Sequence, residues 1–154
     1  MKFILQFSHM TNPYKGKFEV CLRGIIENNG RILVCHSKKK DYYYLPGGHL
    51  EYGEKIKDAL ARELKEELDA SLDKFSFIGA VDNIFTEDGE NHHEVNLVFK
   101  VKLKVNKTKS LEDHIDFAFI DKKEFAKAAF YPIALKKAIL KWLKDKKIFL
   151  ASQY

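Results

Sequence analysis

The amino-acid sequence predicts an α/β fold, a sandwich built around a mixed β-sheet. Three observations lead there. A stripe of Ile56, Leu60, Leu64 and Leu68, with Ala59 beside it, recurs at four-residue spacing mid-chain and marks an amphipathic helix. Strand-like runs lie on both sides of that helix. The clearest is Val95, Leu97, Phe99, Val101, Leu103 and Val105, alternating with Asn96, Lys100, Lys102 and Lys104. A second long helix follows near the C-terminus, with Leu135, Ile139, Trp142 and Leu143 on one stripe. Elements that are apolar on one face must stack in layers to bury it.

In chain order, Phe3, Leu5 and Phe7 could form a short strand or simply pack over the domain. Phe18 to Glu27 is apolar and β-branched, Asn28-Asn29-Gly30 signals a hairpin, and Arg31 to His36 returns as its partner. Tyr42 to Leu45 is a short strand after a charged loop. Lys74 to Phe85 reads as a strand bent at Gly79, and Asp88-Gly89 as the turn into the alternating strand. Asp116 to Ile120 is strand-like. Asp121 with Glu124 has the form of a capping box opening a short helix through Ala129. Pro132 suits the first turn of the last helix, which ends near Lys146. No repeat, low-complexity segment or linker interrupts this order, so residues 1–154 read as a single domain with its core over about 18–146.

Composition narrows the class. A chain of 154 residues can bury a core without disulfides or structural metals, and 45% hydrophobic with 32% charged residues excludes disorder. Cys21 and Cys35 fall on apolar strands and read as buried thiols of a reducing compartment. Residues 1–7 are too short an apolar run for a signal-peptide core, and no stretch is long enough to cross a membrane, so the expected location is cytoplasmic. The net charge of +5 comes largely from Lys136, Lys137, Lys141, Lys144, Lys146 and Lys147. These flank the stripe that carries Trp142, which favours a solvated helix face over a nucleic-acid patch.

The chemistry concentrates between Leu45 and Ala70. Leu45-Pro46-Gly47-Gly48 opens a loop in which Pro46 removes a ladder donor and Gly47, Gly48 and Gly53 allow conformations or approaches a Cβ would block. On the helix that follows, Glu63, Glu66 and Glu67 stand at i, i+3 and i+4, so their carboxylates emerge together beside the apolar stripe. Converging like charges call for a cation, and a hard divalent ion such as Mg2+ takes carboxylate oxygens. Taken alone, Arg62-Glu63-Leu64-Lys65-Glu66-Glu67 is also ordinary surface-helix sequence, its ion pairs worth only about 0.3 kcal/mol each.

The upstream spacing separates the two readings. Gly48, five residues, Glu54, seven residues, Arg62-Glu63-Leu64, one residue, Glu66-Glu67 resembles the signature of the Nudix hydrolases. Two positions depart from it: Asp69 stands where the family has glycine, and Ala70 where it has a bulkier aliphatic residue. The resemblance implies an α/β/α sandwich and Mg2+-dependent hydrolysis, with Mn2+ able to substitute, of a pyrophosphate linkage in a nucleoside diphosphate-linked small molecule. It further implies Glu63, Glu66 and Glu67 as metal ligands with the carbonyl of Gly48, Arg62 orienting the carboxylates by pairing Glu54 or Glu63, and Glu54 bracing the loop. Gly47 would let backbone approach phosphate. The general base stays open among Glu63, Glu94, Glu112 and Asp113; the last three also read as plain surface carboxylates.

For the rest of the substrate, Arg23, Tyr42, Tyr43, Tyr44 and Phe85 are candidates, since aromatic rings stack bases and arginine holds phosphate. Sheet packing explains the same aromatics. His92 and His93, adjacent on a strand, face opposite sides and cannot share one ion; with His114 they could touch phosphate, while His36 reads as structural. No proline or tyrosine stands between Leu72 and Lys107, where some branches of the family announce their substrate. A non-catalytic nucleotide-binding or sensor domain is the alternative, and it would be marked by lost box carboxylates. Homodimers are common in families of this kind, and no stretch of this chain requires one. An Asp69 in a left-handed helix end would bring small local strain.

Overall fold

The computed structural model describes residues 15–104 and 115–154. Its elements in order are β1 (Lys17–Asn28), β2 (Arg31–Ser37), β3 (Tyr42–Tyr44), α1 (Ile56–Leu68), β4 (Leu72–Glu87), β5 (Glu90–Leu103), β6 (Ile115–Ile120), α2 (Lys122–Lys127), α3 (Ile133–Asp145) and β7 (Phe149–Gln153). The two hairpin turns form where the sequence places them. Asn29 and Gly30 have φ of 49° and 75°, and Asp88 and Gly89 have 49° and 80°, the paired positive φ that matches the twist of antiparallel strands. The capping box is complete: Asp121 accepts from the Lys123 and Glu124 N–H groups, and the Glu124 carboxylate accepts from the Asp121 N–H.

The sheet is mixed. β1 runs parallel to β5, β4 pairs β5 antiparallel, and β7 joins β4 in parallel. β1 also pairs antiparallel with β2 through its last residues, and β2 pairs antiparallel with β3 and β6. The register of β4 shifts between Phe77 and Gly79, at the bend the sequence marks.

Two apolar layers cover the two faces. Ala59, Leu60, Leu64 and Leu68 of α1 pack on Leu22, Ile26, Leu33, Phe99, Val101 and Leu103. Phe125 of α2 and Leu135, Ile139 and Trp142 of α3 pack on Ile25, Ile32, Val34, Val81 and Val98. Ile25 and Ile26 therefore face opposite layers, as the two-residue strand period requires. Trp142 lies in the core, while Lys137, Lys141, Lys144, Lys146 and Lys147 are exposed, so the basic charge is a solvated rim. Cys21 and Cys35 are both buried thiols. Among the described residues, no helix is long and apolar enough to cross a membrane.

The structure corrects three expectations. β7 was not foreseen; it is a five-residue strand behind a lysine-rich helix end, and its outward Leu150 is exposed, so no periodic signal announces it. Ile56 is 38% exposed, because the buried stripe of α1 starts one turn later. Pro132 is the residue before the first turn of α3 rather than within it. The expectations for residues 1–7, Val105, Glu112, Asp113 and His114 lie outside the described residues.

α1 ends on Asp69 in the left-handed conformation, φ 52° and ψ 31°, where the family has glycine. The Asp69 N–H reaches the Lys65 carbonyl at 3.1 Å and the Ala70 N–H reaches that of Leu64 at 3.2 Å, while the Asp69 carboxylate pairs with Lys65. The helix end is closed despite the missing glycine. Thermal melts should find Asp69→Gly neutral to stabilising by up to about 1 kcal/mol and Asp69→Val destabilising by more than that, since a β-branched residue tolerates positive φ far less well.

Candidate active site

The glycine loop is held to β1 like an added strand. The Gly24 N–H donates to the Pro46 carbonyl at 2.9 Å, the Leu22 N–H to Gly48 at 2.8 Å, and the Leu50 N–H to Val20 at 2.8 Å. This close docking dictates the residue type. Gly47 has φ of 127°, and a Cβ there would lie 2.0 Å from the Leu22 carbonyl oxygen. A Cβ on Gly48 would lie 2.3 Å from Glu63 Oε2, so the loop backbone borders the helix carboxylates directly.

Arg62 ties that corner together. Its Nε and Nη2 donate to the two oxygens of Glu54, each at 3.0 Å, a bidentate fork. Nη1 donates to Glu63 Oε1 at 2.7 Å and to Glu66 Oε2 at 3.3 Å, and Nη2 also to the His49 carbonyl at 3.1 Å. One guanidinium thus spans the loop and two of the three helix acids. The Arg62 hydrogen bonds hold the Glu54 carboxyl below the usual carboxylate range, helped by the Glu51 N–H. Glu54 first and Glu63 second push the Arg62 guanidinium further up.

The third acid is held differently. Glu67 is only 7% exposed, and its Oε2 accepts the Gly47 N–H at 2.8 Å. The carbonyl of the same Gly47 accepts from Arg23 Nη1 at 2.9 Å. Arg23 Nε then donates to Oδ1 of the fully buried Asn96 at 3.0 Å, and Asn96 Nδ2 to Glu94 at 3.3 Å. A continuous polar chain therefore runs from α1 across the glycine loop to the other face of the sheet.

On that face lies an open cleft of about 730 Å³, lined by Arg23, Tyr42, Tyr44, Asn83, Phe85 and Glu94, with Tyr131 and Gln153 at its α3 side. Of the residues singled out from sequence, Arg23, Tyr42, Tyr44, Phe85 and Glu94 come together here, and Gly47 touches the cleft through Arg23. Tyr43 does not line it. Strand alternation turns its ring into the α3 core layer, 4.8 Å from His36, and leaves Tyr42 and Tyr44 in the cleft. His92 and His93 separate as expected, His92 to Glu19 at 3.2 Å and His93 to Asp82 at 2.6 Å. Asn83, Tyr131 and Gln153 were missed. Asn83 carried a signal, a polar residue in phase with the buried Val81 of its strand; Gln153 sits on the strand that was not foreseen.

The donor set fits a hard divalent cation. Carboxylates of Glu63 and Glu67 border the glycine backbone and that of Glu66 meets Arg62 beside them, and all their donors are oxygens, which suit Mg2+ or Mn2+. The three are not drawn round a single point. The group that already brings three donors within 4.8 Å, among the described residues, is Cys21, His49 and Glu94. That set mixes thiol, imidazole and carboxylate, and burial pushes the Cys21 thiol up to about 11, away from the thiolate a soft metal needs. The all-oxygen set on α1 is the better match to phosphate chemistry, with Glu66, the most exposed of its side chains, free to swing in.

The family model of the NUDIX domain matches residues 18–149. A relative from Methanocaldococcus jannaschii, an ADP-ribose pyrophosphatase, is 28% identical over 126 residues, covering 80% of this chain and 73% of its own length. The MutT NUDIX hydrolase structure from Burkholderia pseudomallei superposes with a TM-score of 0.60 at 25% identity, covering 68% of this chain and 83% of that one. The MutT protein from Methanosarcina mazei Go1 shares the fold, with a TM-score of 0.72 at 19% identity over 86% of this chain and 98% of that one. The chain belongs to the Nudix hydrolase family, and the enzyme class is that of a pyrophosphohydrolase.

Two outcomes follow from the Arg62 corner. A depressed carboxyl pKa gives stability that is complete above the ordinary glutamate value near ~4.3 and lost as pH falls through the lowered value. Glu54→Gln should therefore flatten the fall of Tm with pH below about 4.3. Arg62→Lys, which keeps the charge and loses the fork, should weaken Mn2+ binding by titration calorimetry about 10–100-fold.

Proposed function

We propose that this protein is a Mg2+-dependent hydrolase, with Mn2+ as a substitute ion, that cleaves the pyrophosphate linkage of a nucleoside diphosphate joined to a second group. The observation that carries this reading is the paired arrangement around Gly47: an acid set on one side, organised by Arg62, and an aromatic cleft on the other. One residue links them. The name of the M. jannaschii relative puts ADP-ribose first among substrates to assay.

Glu63, Glu66 and Glu67, with the second lone pair of the Gly48 carbonyl, would hold the ion. The ion would supply charge neutralisation at the diphosphate and an activated water. Arg62 and Glu54 are positioning residues; they fix the loop and the carboxylates without touching substrate. Arg23, fixed by Asn96 and Gly47, meets phosphate at the cleft mouth. Tyr44 and Phe85, with Tyr42, flank the nucleoside half. Water attacks phosphorus, the anhydride P–O bond breaks, and two phosphate monoesters leave, the proton of the water passing to a carboxylate. Glu94, which accepts a hydrogen bond from Asn96 and lines the cleft, is the carboxylate outside α1 that we assign to that role.

The sensor alternative has little to recommend it, because Glu54, Glu63, Glu66 and Glu67 are all present, the first three bonded to Arg62 and Glu67 to the Gly47 N–H. ADP-ribose, nucleotide sugars, nucleoside triphosphates and dinucleoside polyphosphates should be assayed for phosphate-monoester release with Mg2+, Mn2+ or EDTA. At least one should be cleaved, EDTA should abolish the rate, and Glu67→Gln should lower kcat at least about 100-fold (~2.7 kcal/mol of barrier) with the melting curve retained. No turnover on any, with nucleotide binding intact, would transfer the protein to the sensor class.

A further inference from the structure

Asn83 stands on β4 two residues beyond the core residue Val81 and two before Phe85, on the sheet face that forms the cleft. It is 5% exposed, and its side-chain oxygen Oδ1 has no hydrogen-bond partner among the described residues. A buried acceptor left unmade is destabilising, and native proteins rarely keep one without use.

Its neighbours are spoken for. Asn96, the other buried asparagine of this face, accepts from Arg23 and donates to Glu94. Gln153, which pairs with Asn83 in the β4–β7 register, uses its Oε1 to accept the Ala134 N–H at 2.9 Å. Among the described residues, Asn83 Oδ1 is the buried side-chain acceptor of this corner that has no partner. The walls around it are flat rings. Tyr42 and Tyr131 lie 5.2 Å apart edge to face, and Phe85 lines the cleft while stacked on His92.

We infer that Asn83 reads the edge of the substrate's base, its Oδ1 accepting the amino N–H of an adenine-type ring held between these aromatic side chains. A neutral buried oxygen selects a neutral N–H donor. An asparagine amide offers an acceptor and a donor side by side, the complement of the amino group and adjacent ring nitrogen of adenine. Opposite Oδ1 itself, the keto and ring-nitrogen acceptors on the same edge of guanine would find no donor. Rotation about the soft terminal torsion of asparagine presents Oδ1 to the cleft without moving the strand. This inference rests on the proposal that the cleft receives the nucleoside half of the substrate, and it adds which base and which residue.

The test compares AMP with purine riboside 5′-monophosphate, the same nucleotide lacking the amino group, by calorimetric titration with Mg2+ present. The wild-type protein should bind AMP about tenfold more tightly. That ratio should fall to within about twofold of unity in both Asn83→Ala and Asn83→Leu, the second variant filling the site without a polar group. Equal affinities in the wild type, a ratio unchanged in the variants, or no binding of either nucleotide would each overturn the inference. The wild-type comparison stands even if a variant fails to fold. ADP-ribose hydrolysis measured in parallel separates the two claims. No hydrolysis with the AMP preference intact removes the enzymatic reading alone, and hydrolysis with no AMP preference removes the role of Asn83 alone.

Discussion

Four carboxylates, Glu54, Glu63, Glu66 and Glu67, are crowded into one corner between a loop and a helix, and Arg62 is the cation that binds three of them there. Its fork closes on both oxygens of Glu54 and its remaining N–H groups reach Glu63, Glu66 and the His49 carbonyl. Remove the guanidinium and the corner becomes a set of like charges in partly desolvated surroundings, which must then spread, protonate or capture a cation. The glycine loop depends on the same contact, because Glu54 is the brace between that loop and α1.

The sheet divides the work of the site into two faces, and the backbone of Gly47 joins them. Its N–H fixes the buried carboxylate of Glu67 on the α1 side, and its carbonyl fixes Arg23 on the cleft side. A Cβ at this residue would strike the Leu22 carbonyl, so the close approach of loop to β1 and the link between acid set and cleft are one constraint.

Much of this was legible in the sequence because local chemistry and long-range order agree. Asn29-Gly30 and Asp121 with Glu124 announce a turn and a cap by residue type alone. The spacing from Gly48 to Glu67 names the family because each position answers to a physical demand: no Cβ at Gly48, a bidentate partner at Glu54, a fork at Arg62. What was not legible depends on placement in space. Tyr43 is flanked by two tyrosines, and only the phase of the strand decides which of them face the cleft. β7 is five residues whose pairing with β4 no local pattern encodes. Asn83 is one asparagine among several until its burial and its unmet oxygen are seen.

The central claim is that the acid corner of α1, and no other donor set, holds the catalytic ion. Anomalous diffraction from crystals soaked in Mn2+ tests it most directly. The expected map has a peak bonded to carboxylate oxygens of Glu63 and Glu67 beside the Gly48 carbonyl, with Glu66 drawn toward it and Arg62 still on Glu54. A peak at Cys21, His49 and Glu94, with none at the helix, would contradict the account.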